Sequence, residues 1–154
     1  MVRIKDVQTY NLDESIPYLM NRVVGRQNRL LEEDLHELGL GFQHWRVLAV
    51  LARGDGVSIA DLSAYAVVPH STLSRLLDRL ESDKLVKRSS NTPDGRTACL
   101  LITARGKEVY QRILPMAIRR RDDALVGFAR QEKDLLLEML HRMLANLQEP
   151  GPVR

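Results

Sequence analysis

The sequence predicts a mainly α-helical fold carrying one small β-hairpin, and three observations support that class. Apolar residues recur at i, i+3, i+4 and i+7 through most of the chain, the period of helices with one buried face. Only the stretch after Leu85-Val86 abandons that period, with two short apolar runs around a turn at Asn91-Thr92-Pro93-Asp94-Gly95. Glycines and prolines fall mostly between the periodic stretches and so mark the element boundaries.

Residues 1–12 show no clear period and read as an arm, with Val2, Ile4 and Val7 available to pack against a neighbour. A first long helix is predicted over residues 16–38. Ile16, Leu19, Met20, Val23, Leu30, Leu31, Leu35 and Leu38 form its stripe, and Asp13 or Ser15 caps it. Pro17 suits the first turn, and Gly39 supplies a left-handed residue at the end. A second helix over 42–53 sets Phe42, Trp45, Leu48 and Leu51 on one face and stops at Gly54. Ser58 caps a short third helix over 59–65. Pro69 opens a fourth, reaching about Ser82, in which Leu73, Leu76, Leu77 and Leu80 face the core while His70, Ser71, Ser74, Arg75, Asp78 and Arg79 stay polar. A strand after Leu85-Val86 and a second over 98–102 flank the turn. Thr103 caps a long helix over 104–128, which Pro115 is expected to bend. A last helix over 132–147 carries Leu136, Met139, Leu140, Met143, Leu144 and Leu147.

At 154 residues with 44% apolar and 28% charged side chains, the chain is long enough to bury a core without disulfides or metals. It has neither a long apolar run nor a basic-then-apolar leader, so a cytoplasmic protein with no membrane span is expected. The single Cys99 fits a reducing compartment. A net charge of +3 permits nucleic-acid binding without establishing it. Two Phe, four Tyr and one Trp are too few for a base-stacking platform, which favours duplex DNA over single strands.

Over residues 59–103 the order is short helix, turn, amphipathic helix and polar hairpin: a winged helix-turn-helix. That shape seats one helix in a DNA groove and a ribbon beside it. Taken alone, the fourth helix also reads as a surface helix with a solvated polar side. In the hairpin, Asp94 and Arg96 are two residues apart and project from one side. The carboxylate can then aim the guanidinium at the minor groove, the alternative being a surface ion pair worth about 0–1 kcal/mol. The first helix and the last two are long and striped, and the module at 41–103 is too small to cover them. Residues 1–40 and 104–149 are therefore expected to form a helical dimerisation region, intertwined with that module in a single domain. A two-fold dimer would set two recognition helices about 34–36 Å apart, as palindromic half-sites require.

The run Asp94-Gly95-Arg96-Thr97-Ala98-Cys99-Leu100-Leu101-Ile102-Thr103-Ala104-Arg105-Gly106 resembles the signature of the MarR family of bacterial transcription regulators. That signature reads Asp, any residue, Arg, alternating apolar residues, Leu-Thr and a Gly three on, with Ile102 here in place of the Leu. Ser58-Ile59-Ala60-Asp61-Leu62, Ser71-Thr72-Leu73-Ser74-Arg75-Leu76 and Asp78-Arg79-Leu80-Glu81 are also similar to the family pattern. The likeness covers residues 15–147 in element order and is specific over 58–106. It implies a homodimeric winged helix-turn-helix regulator, usually a repressor. A small phenolic or lipophilic effector in a cleft between the DNA-binding module and the dimer helices would lower its DNA affinity. On matching positions it implies DNA contacts from His70, Ser71, Thr72, Ser74 and Arg75 on the helix, and from Arg88 and from Arg96, oriented by Asp94, at the wing.

Three departures from the family pattern stand out. Pro69 replaces a common Ser cap, Lys84 replaces the glycine usual after the recognition helix, and the wing tip Ser89-Ser90-Asn91-Thr92 is neutral. From 69 to 97, six Lys and Arg against four Asp and Glu leave +2, so a modest salt dependence of about six phosphates per dimer is expected. Met20, Val24, Phe42, Trp45 and Met116 are candidates for an effector pocket, with a core role as the alternative. Arg119-Arg120-Arg121 precedes Asp122-Asp123 and reads as solvated or locally paired, or with Arg119 as guard of an anionic effector. Cys99 reads as a packed, inert thiol. His36, His44, His70 and His141 lack metal-site spacing, so no metal or other cofactor is expected. Without a Gly-rich phosphate loop or a nucleophile-base pattern, no enzyme is expected. The rival is a winged-helix protein-interaction module that does not bind DNA. Arg96→Ala is expected to weaken DNA binding by about 1–3 kcal/mol in an operator titration while the dimer elutes unchanged.

Overall fold

The computed structural model describes residues 11–54, 56–89 and 99–147. The chain divides into two compact units, residues 1–120 and 121–154. The first holds a 3-10 turn at Leu12–Glu14, α1 (Ile16–His36), α2 (Phe42–Leu51), β1 (Val57–Ser58), α3 (Ile59–Ala66), α4 (His70–Ser82), β2 (Val86–Ser89), β3 (Cys99–Ile102) and most of α5 (Ala104–Asp123). The end of α5 and α6 (Arg130–Asn146) belong to the second.

Side chains choose where these helices begin. Ser15 Oγ accepts the Tyr18 N–H at 3.4 Å with Pro17 in the first turn, and Ser58 Oγ accepts the Asp61 N–H at 3.0 Å. Helix α6 starts at Arg130 rather than 132, because Glu132 accepts the Ala129 N–H at 2.7 Å and so closes the first turn. The ends come earlier than the apolar stripes predict. Helix α1 stops at His36, and Gly39, at φ +66, turns the chain toward α2. Helix α5 runs unbroken through Pro115 but stops at Asp123 instead of 128, followed by a turn in which Gly127 takes φ +86.

Among the described residues the sheet has three strands where the sequence predicts two. Strand β3 lies in the centre, paired antiparallel with β1 through Val57↔Leu100 and with β2 through Val86↔Ile102 and Arg88↔Leu100. A two-residue strand has no period to read; only its pairing with β3 defines β1.

The core of the first unit gathers Leu35 from α1, Val47, Leu48 and Leu51 from α2, Leu62 from α3, Leu100 from β3 and Ile113 from α5. All four predicted leucines of α4, Leu73, Leu76, Leu77 and Leu80, are buried in it. Each such side chain stabilises the fold by roughly 1.5–3 kcal/mol, so α4 is held from behind while its polar face stays outside.

The end of α4 shows how the chain manages without the expected glycine. Lys84 itself adopts the left-handed conformation, φ +60, while Lys84 N–H reaches the Glu81 carbonyl at 2.9 Å and Leu85 N–H the Leu80 carbonyl at 2.8 Å. Thr103 then ties this turn to the start of α5. Its hydroxyl donates to the Lys84 carbonyl at 2.6 Å and accepts the Gly106 N–H at 2.9 Å, and its own N–H reaches the Leu85 carbonyl at 3.1 Å. Gly106 packs so closely here that a Cβ would lie 2.1 Å from the Leu85 oxygen and 2.8 Å from Ile102 Cγ1. Gly106→Ala is therefore expected to lower the unfolding free energy by at least about 2 kcal/mol in a denaturant titration. Lys84→Gly should raise it by about 0.5–1 kcal/mol, since relief of the left-handed cost outweighs glycine's larger unfolded-state entropy.

Candidate nucleic-acid interface

Between α3 and α4 the chain turns at Val67, a β-branched residue at φ 51 that is 71% exposed. Side chains of this shape rarely take that conformation, so the turn is held from outside. Arg46 on α2 donates from Nη1 to the Ala66 carbonyl at 3.0 Å and the Val67 carbonyl at 3.5 Å, with its guanidinium 4.8 Å over the Phe42 ring. Ser63 Oγ donates to the Val68 carbonyl at 2.8 Å. Neither Arg46 nor Val67 was singled out by the sequence, since their partnership joins residues twenty-one apart with no periodic signal.

Pro69 precedes α4 in an extended conformation, φ −54 and ψ 139, which suits its ring. It has no side-chain oxygen, so α4 lacks a side-chain cap; the Pro69 carbonyl instead accepts the Thr72 and Leu73 N–H groups, both at 2.9 Å. His70 is the first residue of α4. Ser71, Thr72, Ser74 and Arg75 are exposed along its outer side, and Arg75 has no ion pair among the described residues. Hydroxyls and a free guanidinium on the outer side of a helix buried at the back are groups that hydrogen-bond base edges and phosphates.

Asp94 and Arg96, with residues 90–98 of the wing tip, lie outside the described residues. The wing root is described, and Arg88 there is already engaged. Its Nη2 lies 2.9 Å from Asp78 Oδ1 and its Nη1 2.8 Å from Glu81 Oε2, both carboxylates on α4. In β3, Cys99 is buried, with Sγ 3.5 Å from the Ser89 carbonyl.

The six candidate pocket residues differ in their surroundings. Met20 and Val24 are exposed on α1, while Phe42, Trp45 and Met116 pack against the core. Trp45 is stacked on Tyr110 of α5, ring centroids 5.5 Å apart. Arg119 and Arg120 converge on Asp34 of α1, Arg120 at 2.7 Å and Arg119 at 3.2 Å, whereas Arg121 pairs locally with Asp122. The Arg120 guanidinium, ahead of Arg119, holds the Asp34 carboxyl below its ordinary range.

A cavity of about 640 Å³ opens at the α1–α2 connection, lined by Glu32, His36, Leu40, Phe42, His44 and Arg79 among others. Of the predicted pocket residues only Phe42 reaches it. His44 accepts the Gly41 N–H on Nδ1 at 2.8 Å, so its proton sits on Nε2, which is buried and has no hydrogen-bond partner among the described residues. Burial, then the Arg79 charge, lowers its pKa against the opposing pull of Asp83 and Glu32. Among the described residues no group of three or more His, Cys, Asp or Glu converges as a metal site.

Comparison with known proteins agrees with this architecture. Residues 38–97 match a family model described as MarR family. The HTH-type transcriptional regulator FarR of Neisseria gonorrhoeae is 30% identical over 115 residues, which are 75% of this chain and 78% of FarR. The HTH-type transcriptional repressor IacR of Pseudomonas putida is 28% identical over 131 residues, 85% of this chain and 78% of IacR. A solved MarR-family transcriptional regulator from Silicibacter pomeroyi has 40% identity and a TM-score of 0.81, across 88% of this chain and 92% of its own.

The neutral His44 gives a pH dependence with a definite sign. Its folded pKa lies below the ordinary 6.5, so below that pH the unfolded chain binds a proton that the folded chain refuses. Unfolding free energy is expected to fall as pH drops below 6.5, and in His44→Asn the same denaturant titrations should show a shallower fall.

Proposed function

The chain belongs to the MarR family, and on that footing we propose that it acts as a homodimer that represses transcription from a palindromic operator and is released by a small-molecule effector. Family, relatives and fold make it a DNA-binding transcription regulator rather than an enzyme. Dimer, operator symmetry, sign of regulation and effector are the proposal.

The observation that carries the dimer is the apolar stripe left exposed on α1. Ile16, Leu19, Met20, Val23 and Val24 follow one helical face and are 37–59% exposed. In the second unit, α6 has no buried residue although it carries Leu135, Leu136, Leu137, Met139 and Leu144. Exposed apolar rows of this length mark a surface that another chain covers, and a second copy supplies a matching row by symmetry. The module of α3, α4 and the wing would then occur twice, which favours two related half-sites. In this reading His70, Ser71, Thr72, Ser74 and Arg75 face the major groove and Arg96, oriented by Asp94, the minor groove.

Repression is supported by the name of IacR, a repressor. Effector control is supported by the cavity between α1, α2 and the Arg79 of α4, because a ligand there would touch the recognition helix itself. No described helix is long and apolar enough to cross a membrane, and the proposed site of action is the bacterial cytoplasm.

The test is selection of bound duplexes from a random library at about 100 mM salt. A palindrome with half-sites about 10 bp apart is expected; failure to enrich any sequence would sink the regulator reading in favour of a protein-interaction module. On the selected operator, Arg75→Ala should weaken binding by about 1–3 kcal/mol. Val23→Glu should turn the dimer into monomer by light scattering and remove operator binding with it.

A further inference from the structure

Arg88 is the one wing residue implied as a DNA contact that the structure describes, and its geometry gives it a different task. Its guanidinium forks between two carboxylates of α4, Nη2 on Asp78 Oδ1 at 2.9 Å and Nη1 on Glu81 Oε2 at 2.8 Å. Its main-chain N–H donates to Glu81 Oε1 at 3.0 Å. Glu81 thus spends both oxygens on one residue. Among the described residues strand β2 is at the sheet edge, paired only with β3, so its outward N–H groups have no ladder partner there. The recognition helix supplies that partner.

We propose that Arg88 is a positioning residue that straps the root of the wing to the recognition helix through Asp78 and Glu81, and does not bind a DNA phosphate. The proposal rests on the DNA-binding reading above. Charge supports it: two carboxylates surround one guanidinium, so the cluster as a whole is anionic and has no positive charge left for a phosphate. Arg75 and Arg79, on the same helix, have no ion pair among the described residues and remain available. Asp78 and Glu81 sit three apart, on one face of α4, and point at the same strand. Pairs this exposed add little to stability. Their effect is on angle: without Arg88 the wing root is anchored to the sheet alone, and two uncompensated carboxylates stand beside a polyanion.

Two measurements on the full chain test this. In the absence of DNA, Glu81→Ala should speed hydrogen exchange at the Arg88 amide by about fivefold or more with little change in thermal midpoint; unchanged exchange overturns the strap. On the selected operator across a salt series, Arg88→Ala is expected to bind about tenfold more weakly with the wild-type slope of log affinity against log salt. Arg75→Ala should instead flatten that slope by about 1.8 if one phosphate contact is lost in each protomer. Arg88→Lys keeps the charge but cannot fork between the two acids, so it should stay near the Ala variant. A flattened slope in Arg88→Ala, full affinity in Arg88→Ala, or full recovery in Arg88→Lys each overturns the proposal. If the wild-type chain itself binds no duplex, it is the regulator reading that fails, and the exchange measurement still decides whether the strap exists.

Discussion

The approach of Gly106 to the Leu85 carbonyl is the constraint on which the winged helix-turn-helix of this protein depends. Only a residue without a Cβ fits there. Because it fits, α5 can leave the sheet directly against the turn that ends α4, and Thr103 can bridge both backbones with one hydroxyl. The backbones at the end of α4 and the start of α5 are thereby held at close contact, tied by the Thr103 hydroxyl. This gives a physical meaning to the end of the sequence signature. Its Thr and Gly join backbones, whereas its Asp and Arg belong to the wing tip.

Most of the helical architecture was legible because it is local. The leucines of α4 repeat without a miss and all are buried, and Ser15, Ser58 and Thr103 accept from their helices as cap chemistry dictates. What could not be read depends on distant partners. Strand β1 exists only because β3 lies beside it. Lys84 takes a conformation that its residue type disfavours, in a turn closed onto the Glu81 and Leu80 carbonyls and tied to Thr103 nineteen residues on. Two of the three consecutive arginines reach Asp34, more than eighty residues away, while the third pairs with its neighbour.

The proposed DNA-binding surface divides in the same way. The exposed hydroxyls and Arg75 of α4 follow from periodicity alone. The engagement of Arg88 does not, since nothing local in the sequence tells a strand arginine that two acids of the preceding helix await it. The anticipated pocket illustrates the converse difficulty. Trp45 and Met116 have the composition of a binding cavity, yet Trp45 is met by Tyr110, and an open volume lies at the α1–α2 connection. That volume is in physical touch with the helix-turn-helix. Phe42 lines it and carries Arg46 on its ring, and Arg46 holds the strained turn at Val67.

The apolar stripe of α1 has a consequence for the life of the protein in a cell. Covered by a second copy, as proposed, it makes folding and association one equilibrium, so stability rises with the amount of protein made. A newly synthesised chain would spend its first moments with hydrocarbon facing water, open to proteases and chaperones until it meets its twin. Abundance would then be more than a count of molecules available for an operator: it would fix the fraction of chains that survive to search for one.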